Sequence, residues 1–203
     1  MKYFMALVAM MLLIPAASAA ETADGMLKKA ASAINGAGGL SASFTLDYGK
    51  EKVAGTLKSS GRKFVIQTSS TSTWYDGKNM WVYNARNNET TLMSPTAEEV
   101  AEANPLSLVN TYSSSFTAAF AKTQTKGSRT IVLTPKSKKT GYKSVHVTIA
   151  EGSSFPSRLV IIPNSGQKIT VSISQVKNGQ KFVDATYTYP KSKYPKAEIV
   201  DLR

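Results

Sequence analysis

The chain has no cysteine and a single histidine, His146, among its 203 residues. Without Cys there is no disulfide to brace a fold, no thiolate nucleophile and no thiol to carry a lipid anchor. One histidine cannot build a His/Cys metal cluster. His146 lies between Val145 and Val147 in an alternating stretch, so it reads as a solvent-facing strand residue rather than a catalytic base. Acids are also scarce, with 13 Asp and Glu against 25 Lys and Arg. They are scattered apart from Glu98, Glu99 and Glu102, and Glu98 and Glu99 open a helix, where the dipole alone favours acids. A paired-carboxylate hydrolase is therefore not expected. Neither a G-x-S-x-G element nor a phosphate-binding loop occurs. No catalytic residue is assigned, and no metal or cofactor is expected. The formal charge of +12 is spread out, in runs no longer than Lys28-Lys29 or Lys138-Lys139. Nucleic acid is not an expected partner; a solvated basic surface, or attraction to anionic membranes or acidic partners, is.

One long apolar run is present, residues 3–15. Met1-Lys2 precedes it and Ala17-Ser18-Ala19 follows with the A-x-A form of a signal-peptidase site. Residues 1–19 read as a secretory signal peptide, too short to cross a bilayer. Residues 20–203 are then one soluble, exported domain, large enough for a core plus a cavity.

That domain begins with a helix over residues 21–34, where Ala23, Met26, Leu27, Ala30, Ala31 and Ile34 share a face. From Leu40 the period changes to two, with Leu40, Ala42, Phe44, Leu46 and Tyr48 alternating with polar residues. Short strands separated by turn signals continue to the C-terminus. Asp76-Gly77 and Asn178-Gly179 read as type I′ hairpin turns, and Gly55 as a bend or bulge. Residues 181–190 and 196–202 read as strands. Residues 95–120 interrupt the strands with two short helices, the first opened by a capping box over residues 96–99 with Thr96 or Ser94 as N-cap. Interruptions of this kind often act as lids. The predicted architecture is an incomplete, strongly curved antiparallel β-barrel of about 11 strands, with an N-terminal helix and short lid helices over an apolar cavity. Both tryptophans stand in the hairpin Trp74-Tyr75-Asp76-Gly77-Lys78-Asn79-Met80-Trp81-Val82-Tyr83. Phe44, Leu46, Leu57, Phe64, Ile66, Trp81, Tyr83 and Met93 are the predicted apolar lining. Leu106, Leu108, Val109 and Phe116 are the predicted underside of the lid.

The hairpin Asp76-Gly77-Lys78 with Trp81 and Tyr83 resembles the D-G-K-x-x-W-x-Y element of the periplasmic outer-membrane lipoprotein carrier family, LolA. The Ser-x-Ser-Phe-Thr strand of residues 41–45, Gly55 to Leu57, Asn104-Pro105-Leu106 and Leu133-Thr134-Pro135 follow the family's order over nearly the whole exported chain. The resemblance implies a curved barrel with a helical lid. It also implies a cavity for the acyl chains of lipoproteins carried from the inner to the outer membrane. The implied partners are acylated lipoproteins, an inner-membrane releasing transporter and an outer-membrane acceptor, with the carrier acting as a periplasmic monomer. A lipid-sensing module with another cargo or a regulatory partner shares the same fold and is the alternative. The sequence departs from the family at one point. Where well-studied members have an Arg followed by Pro that latches the lid, Gly61 stands here, with Arg62 one residue later as the candidate latch.

Overall fold

The computed structural model describes residues 21–203 except 37, 105 and 139. The predicted signal peptide lies outside the described residues. Helix α1 (Ala23–Asn35) is capped by Thr22, whose Oγ1 accepts the Gly25 N–H at 3.0 Å. Strands β1 (Gly39–Asp47), β2 (Lys52–Ser60), β3 (Lys63–Thr68), β4 (Thr71–Tyr75), β5 (Met80–Asn84) and β6 (Glu89–Met93) follow as a meander. Helices α2 (Ala97–Ala103) and α3 (Ser107–Ser115) come next. Strands β7 (Phe116–Phe120), β8 (Ser128–Pro135), β9 (Tyr142–Ala150), β10 (Pro156–Pro163) and β11 (Ile169–Gln180) form a second meander, and β12 (Glu198–Asp201) ends the fold.

All twelve strands belong to one sheet, in the order β12-β6-β5-β4-β3-β2-β1-β11-β10-β9-β8-β7. The antiparallel pair β1–β11 joins the two meanders. The sheet does not close, since β12 and β7 are its edges. Alternation gives it two faces. The inner face carries the large core, where Leu27, Ala30 and Ile34 of α1 and Leu108, Val109 and Tyr112 of α3 pack on the inward residues of the strands. The outer face is polar over much of its area, but β3–β5 carry a second, aromatic cluster there.

The architecture is the predicted incomplete barrel, with local corrections. Phe116, predicted as part of the lid, is buried and pairs with Pro135 in β8, so the helical cover ends at Ser115. Asp76-Gly77 does not make a two-residue turn. Only Gly77 of the pair has positive φ (100°), and the Asp76 carboxylate instead accepts the Lys78 and Asn79 N–H groups at 2.8 and 2.7 Å, shaping a four-residue loop. Asn178-Gly179 lies inside β11, which stays paired to β1 as far as Gly39–Gln180 through two register shifts. Positive φ at Gln175 (51°) and Gly179 (70°) absorbs the irregularity. Within residues 181–190, expected as strand, Asp184–Tyr187 form a 3₁₀ turn instead, and a second 3₁₀ turn follows at Lys191–Lys193. Strand β12 pairs with β6 in parallel, which no meander provides. Finally, Gly55 sits in regular register opposite Phe44. It makes room for the Phe44 ring rather than a bulge.

Candidate functional site

Two hollows lie on the inner face, on either side of the segment that links α2 to α3. The smaller is an apolar chamber of about 130 Å³. Ala42, Phe44 and Leu46 of β1, Leu57 of β2 and Ile66 of β3 form one wall, and Leu159 and Ile161 of β10 with Ile169, Val171 and Ile173 of β11 form the other. Tyr48 borders it at the strand ends, and Glu102, Ala103, Asn104 and Leu106 roof it. The larger is a cavity of about 630 Å³ between α2, α3 and the sheet, within the range of sites that hold small molecules. Ile34, Phe64, Tyr75, Leu108, Phe116 and Tyr142 make its apolar floor, while Ser59, Arg62, Asn110, Thr111 and Ser114 stand around it. Burial, and then the carboxylates of Glu102 and Glu98, push the Tyr142 hydroxyl above its ordinary pKa, so it stays neutral.

Asn104 and Leu106 line both hollows. Asn104 is buried yet satisfied: its Oδ1 accepts the Leu106 N–H at 3.2 Å, and its carbonyl accepts from Ser107 N–H and Oγ–H at 2.9 and 2.7 Å. The two residues shared by the hollows are thus held by hydrogen bonds.

Of the predicted lining, Phe44, Leu46, Leu57 and Ile66 border the chamber and Phe64 the larger cavity. Met93 packs, half-buried, against the inner core. Trp81 and Tyr83 do not face the hollows. They alternate with Met80 and Val82 and project to the other face, against Trp74, Tyr187, Tyr189 and Tyr194. There the C-terminal 3₁₀ segment covers them, with Tyr83 and Tyr194 rings 4.3 Å apart and Trp74 and Tyr189 rings 5.5 Å apart. The aromatic surplus of the hairpin therefore anchors the chain's end. Of the predicted lid, Leu106, Leu108 and Phe116 border a hollow, whereas Val109 is fully buried beneath α3. The walls from β10 and β11 and the floor residues Tyr75 and Tyr142 escape the sequence reading. The alternation of Ile169, Val171 and Ile173 is visible in the chain, but not that β11 pairs with β1.

Arg62 lies exposed in the turn between β2 and β3, at the edge of the larger cavity. Among the described residues it has no hydrogen-bond or ion-pair partner. The helical cover is held from α1 instead. The Tyr112 hydroxyl of α3 donates to the Asp24 carboxylate at 2.5 Å, and the amides of Asn35 and Asn110 exchange hydrogen bonds at 3.1 and 3.2 Å. Lys28 first, and then Tyr112, hold the Asp24 carboxyl below its usual pKa. Burial and then Asp24 push the Tyr112 hydroxyl up to about 12. A raised folded-state pKa stabilises fully below the ordinary value of 10.0 and is lost as pH rises from there through about 12. Tyr112→Phe is accordingly expected to speed amide exchange across α3 several-fold at neutral pH. It should also remove the part of the alkaline destabilisation that falls between these two values. Arg62→Leu should leave the α3 exchange rate unchanged. If Arg62→Leu speeds exchange and Tyr112→Phe does not, the clasp is on the wrong side.

Among the described residues no helix is long and apolar enough to cross a membrane, and no group of His, Asp and Glu is placed to hold a metal. Comparison with known proteins adds the following. No curated protein matches. Among solved structures, an uncharacterized conserved protein from Thermus thermophilus superposes with a TM-score of 0.58 at 13% identity, covering 87% of this chain and 96% of that one. A domain described as a putative outer membrane lipoprotein-sorting protein from Vibrio parahaemolyticus gives 0.50 at 11% identity, covering 86% and 98%. A LolA superfamily protein from Nitrosomonas europaea gives 0.45 at 12%, covering 83% and 98%. At such identities these likenesses speak to the fold alone. The model of the family "Outer membrane lipoprotein carrier protein LolA" matches residues 13–167, most of the chain, and the protein belongs to that family.

Proposed function

We propose that the protein is a carrier, not a catalyst, which shelters the acyl chains of lipoproteins in its two hollows while they cross the periplasm from inner to outer membrane. On this reading it is exported by cleavage after residue 19, acts as a monomer, and meets a releasing transporter at one membrane and an acceptor at the other. The observation that carries the reading is the pair of hollows under a helical cover, both bordered by Asn104 and Leu106. Each CH₂ of an acyl chain costs about 0.8 kcal/mol on entering water, so a chain in transit needs such shelter. Reversible release needs a cover held by a few polar contacts rather than a sealed core. Phe44, Leu46, Leu57, Ile66 and Phe64 are the proposed chain contacts, with Leu106 bordering both hollows.

A fluorescent fatty-acid probe should bind at micromolar concentration and be displaced by a triacylated peptide. No binding at that concentration overturns the reading. That Arg62 makes no latching bond among the described residues favours a second reading within the same fold, a lipid-binding module with a different cargo or a regulatory partner. Native mass spectrometry of protein taken from its own periplasm separates the two, because a bound lipid other than a lipoprotein acyl group selects the second.

A further inference from the structure

The wall of the small chamber is a single sheet thick. Across it, Leu159 of β10, Val171 of β11 and Leu46 of β1 stand side by side and face inward. Their sequence neighbours face outward in two rows, Arg158 with Ser172 and Thr45, and Thr170 with Asp47 and Lys52. With Lys168 and Gln167 they line a groove of about 460 Å³ on the outer surface. Tyr48, just beyond the end of β1, borders both the groove and the chamber.

The groove carries three cations and one carboxylate. That carboxylate is already engaged. Asp47 accepts the Gly49 N–H at 2.8 Å and faces Lys52 at 3.8 Å. Arg158 and Lys168 are exposed and, among the described residues, have no ion-pair partner. The groove is also held in shape, because Gln167 Nε2 donates to the Tyr48 carbonyl at 3.1 Å and ties the β10–β11 loop to the end of β1. Glu102 faces the same chamber from α2, on the far side of the wall from these cations.

We propose that this groove binds the anionic head groups of a phospholipid membrane and so docks the chamber's Tyr48 end against the bilayer. Uncompensated Arg and Lys beside hydroxyls of Thr45 and Ser172 suit a phosphate, and Arg offers it two parallel donors. A surface held there brings the apolar chamber within reach of acyl chains at the water boundary. The inference rests on the reading of the chamber as a chain site.

The test is sedimentation of the full protein with vesicles of phosphatidylcholine alone and of phosphatidylcholine mixed with phosphatidylglycerol. Binding to the mixed vesicles only is expected, weakening with added salt. The double variant Arg158→Ala/Lys168→Ala should lose roughly fivefold in affinity per charge removed. Lys122→Ala/Lys126→Ala, which removes the same charge from the exposed loop between β7 and β8, should stay near wild type. Equal loss in both double variants, or equal binding to both vesicles, overturns the docking groove. So does binding of inorganic phosphate that needs Arg158 and Lys168 when neither vesicle binds. The fatty-acid probe is measured on the same samples. If it still binds while the vesicle result fails, only the groove falls; if it never binds, the carrier reading falls as well.

Discussion

Gly55→Ala should lower stability by about 2–3 kcal/mol and abolish high-affinity binding of the fatty-acid probe. In most strands the same change stabilises, because glycine packs nothing and has more freedom to lose. Here the added Cβ would fall 2.4 Å from Phe44 Cζ, 2.9 Å from its Cε1 and 2.5 Å from the Gln67 carbonyl oxygen. The carbonyl belongs to the β2–β3 ladder, where Gly55 pairs with Thr68 and Thr56 with Gln67, so it cannot yield cheaply. The ring can yield, but only by leaving Gly55, and the free space beside it is the chamber that Phe44 lines. One methyl group therefore both strains the sheet and fills the site. Chemical denaturation and a probe titration measure the two effects. Combining Gly55→Ala with Phe44→Leu should recover part of the binding but less of the stability, since the clash with the carbonyl remains. A stable Gly55→Ala protein with normal binding would show that the ring contact does not shape the chamber.

Leu159→Ala should cost about 2–5 kcal/mol, a large part of the few kcal/mol that keep a domain folded. Leu159 is fully buried, flanked by Val171 on β11 and Val147 on β9, neither of which can move without breaking its ladder. The site cannot collapse, so the void remains. It opens on the chamber, whose wall Leu159 forms. The variant should therefore be rescued by ligand more than wild type is. A bulkier or longer-chain probe should raise its melting temperature by the larger amount, because binding to the folded state alone stabilises by mass action. Thermal unfolding with and without probe checks this. An unchanged probe response would mean that the space at Leu159 is closed off from the chamber.

Much of the fold is local and legible in the chain. The amphipathic spacing of Leu27, Ala30 and Ile34 defines α1 and the face it buries. The capping box at Thr96 and Glu99 is present in both its bonds. The alternation of Phe44 and Leu46 with Thr45 and Asp47 places two residues on the chamber wall, because a strand's side-chain period allows nothing else. Trp81 and Tyr83 follow the same period. Their strand is legible while its inward face is not, since Met80 and Val82 are apolar as well and both faces of β5 pack against hydrophobic clusters. Hydrophobicity distinguishes inside from outside only where one face meets water.

Local pattern alone thus yields most of the strands, though not β7 or the 3₁₀ turn at residues 184–187, together with the two short helices, the absence of thiol chemistry, and an excess of apolar positions over what one core needs. Each follows from residue type and local period. The tertiary structure decided which strands are neighbours and what each face meets. The β1–β11 pairing brings Leu46 beside Val171, and Tyr189 and Tyr194 cover the face on which Trp81 stands. Tyr112 reaches Asp24 across 88 residues of sequence to hold the cover that the resemblance assigned to Arg62. These are long-range contacts, set by the packing of whole elements, and no spacing within a single segment encodes them.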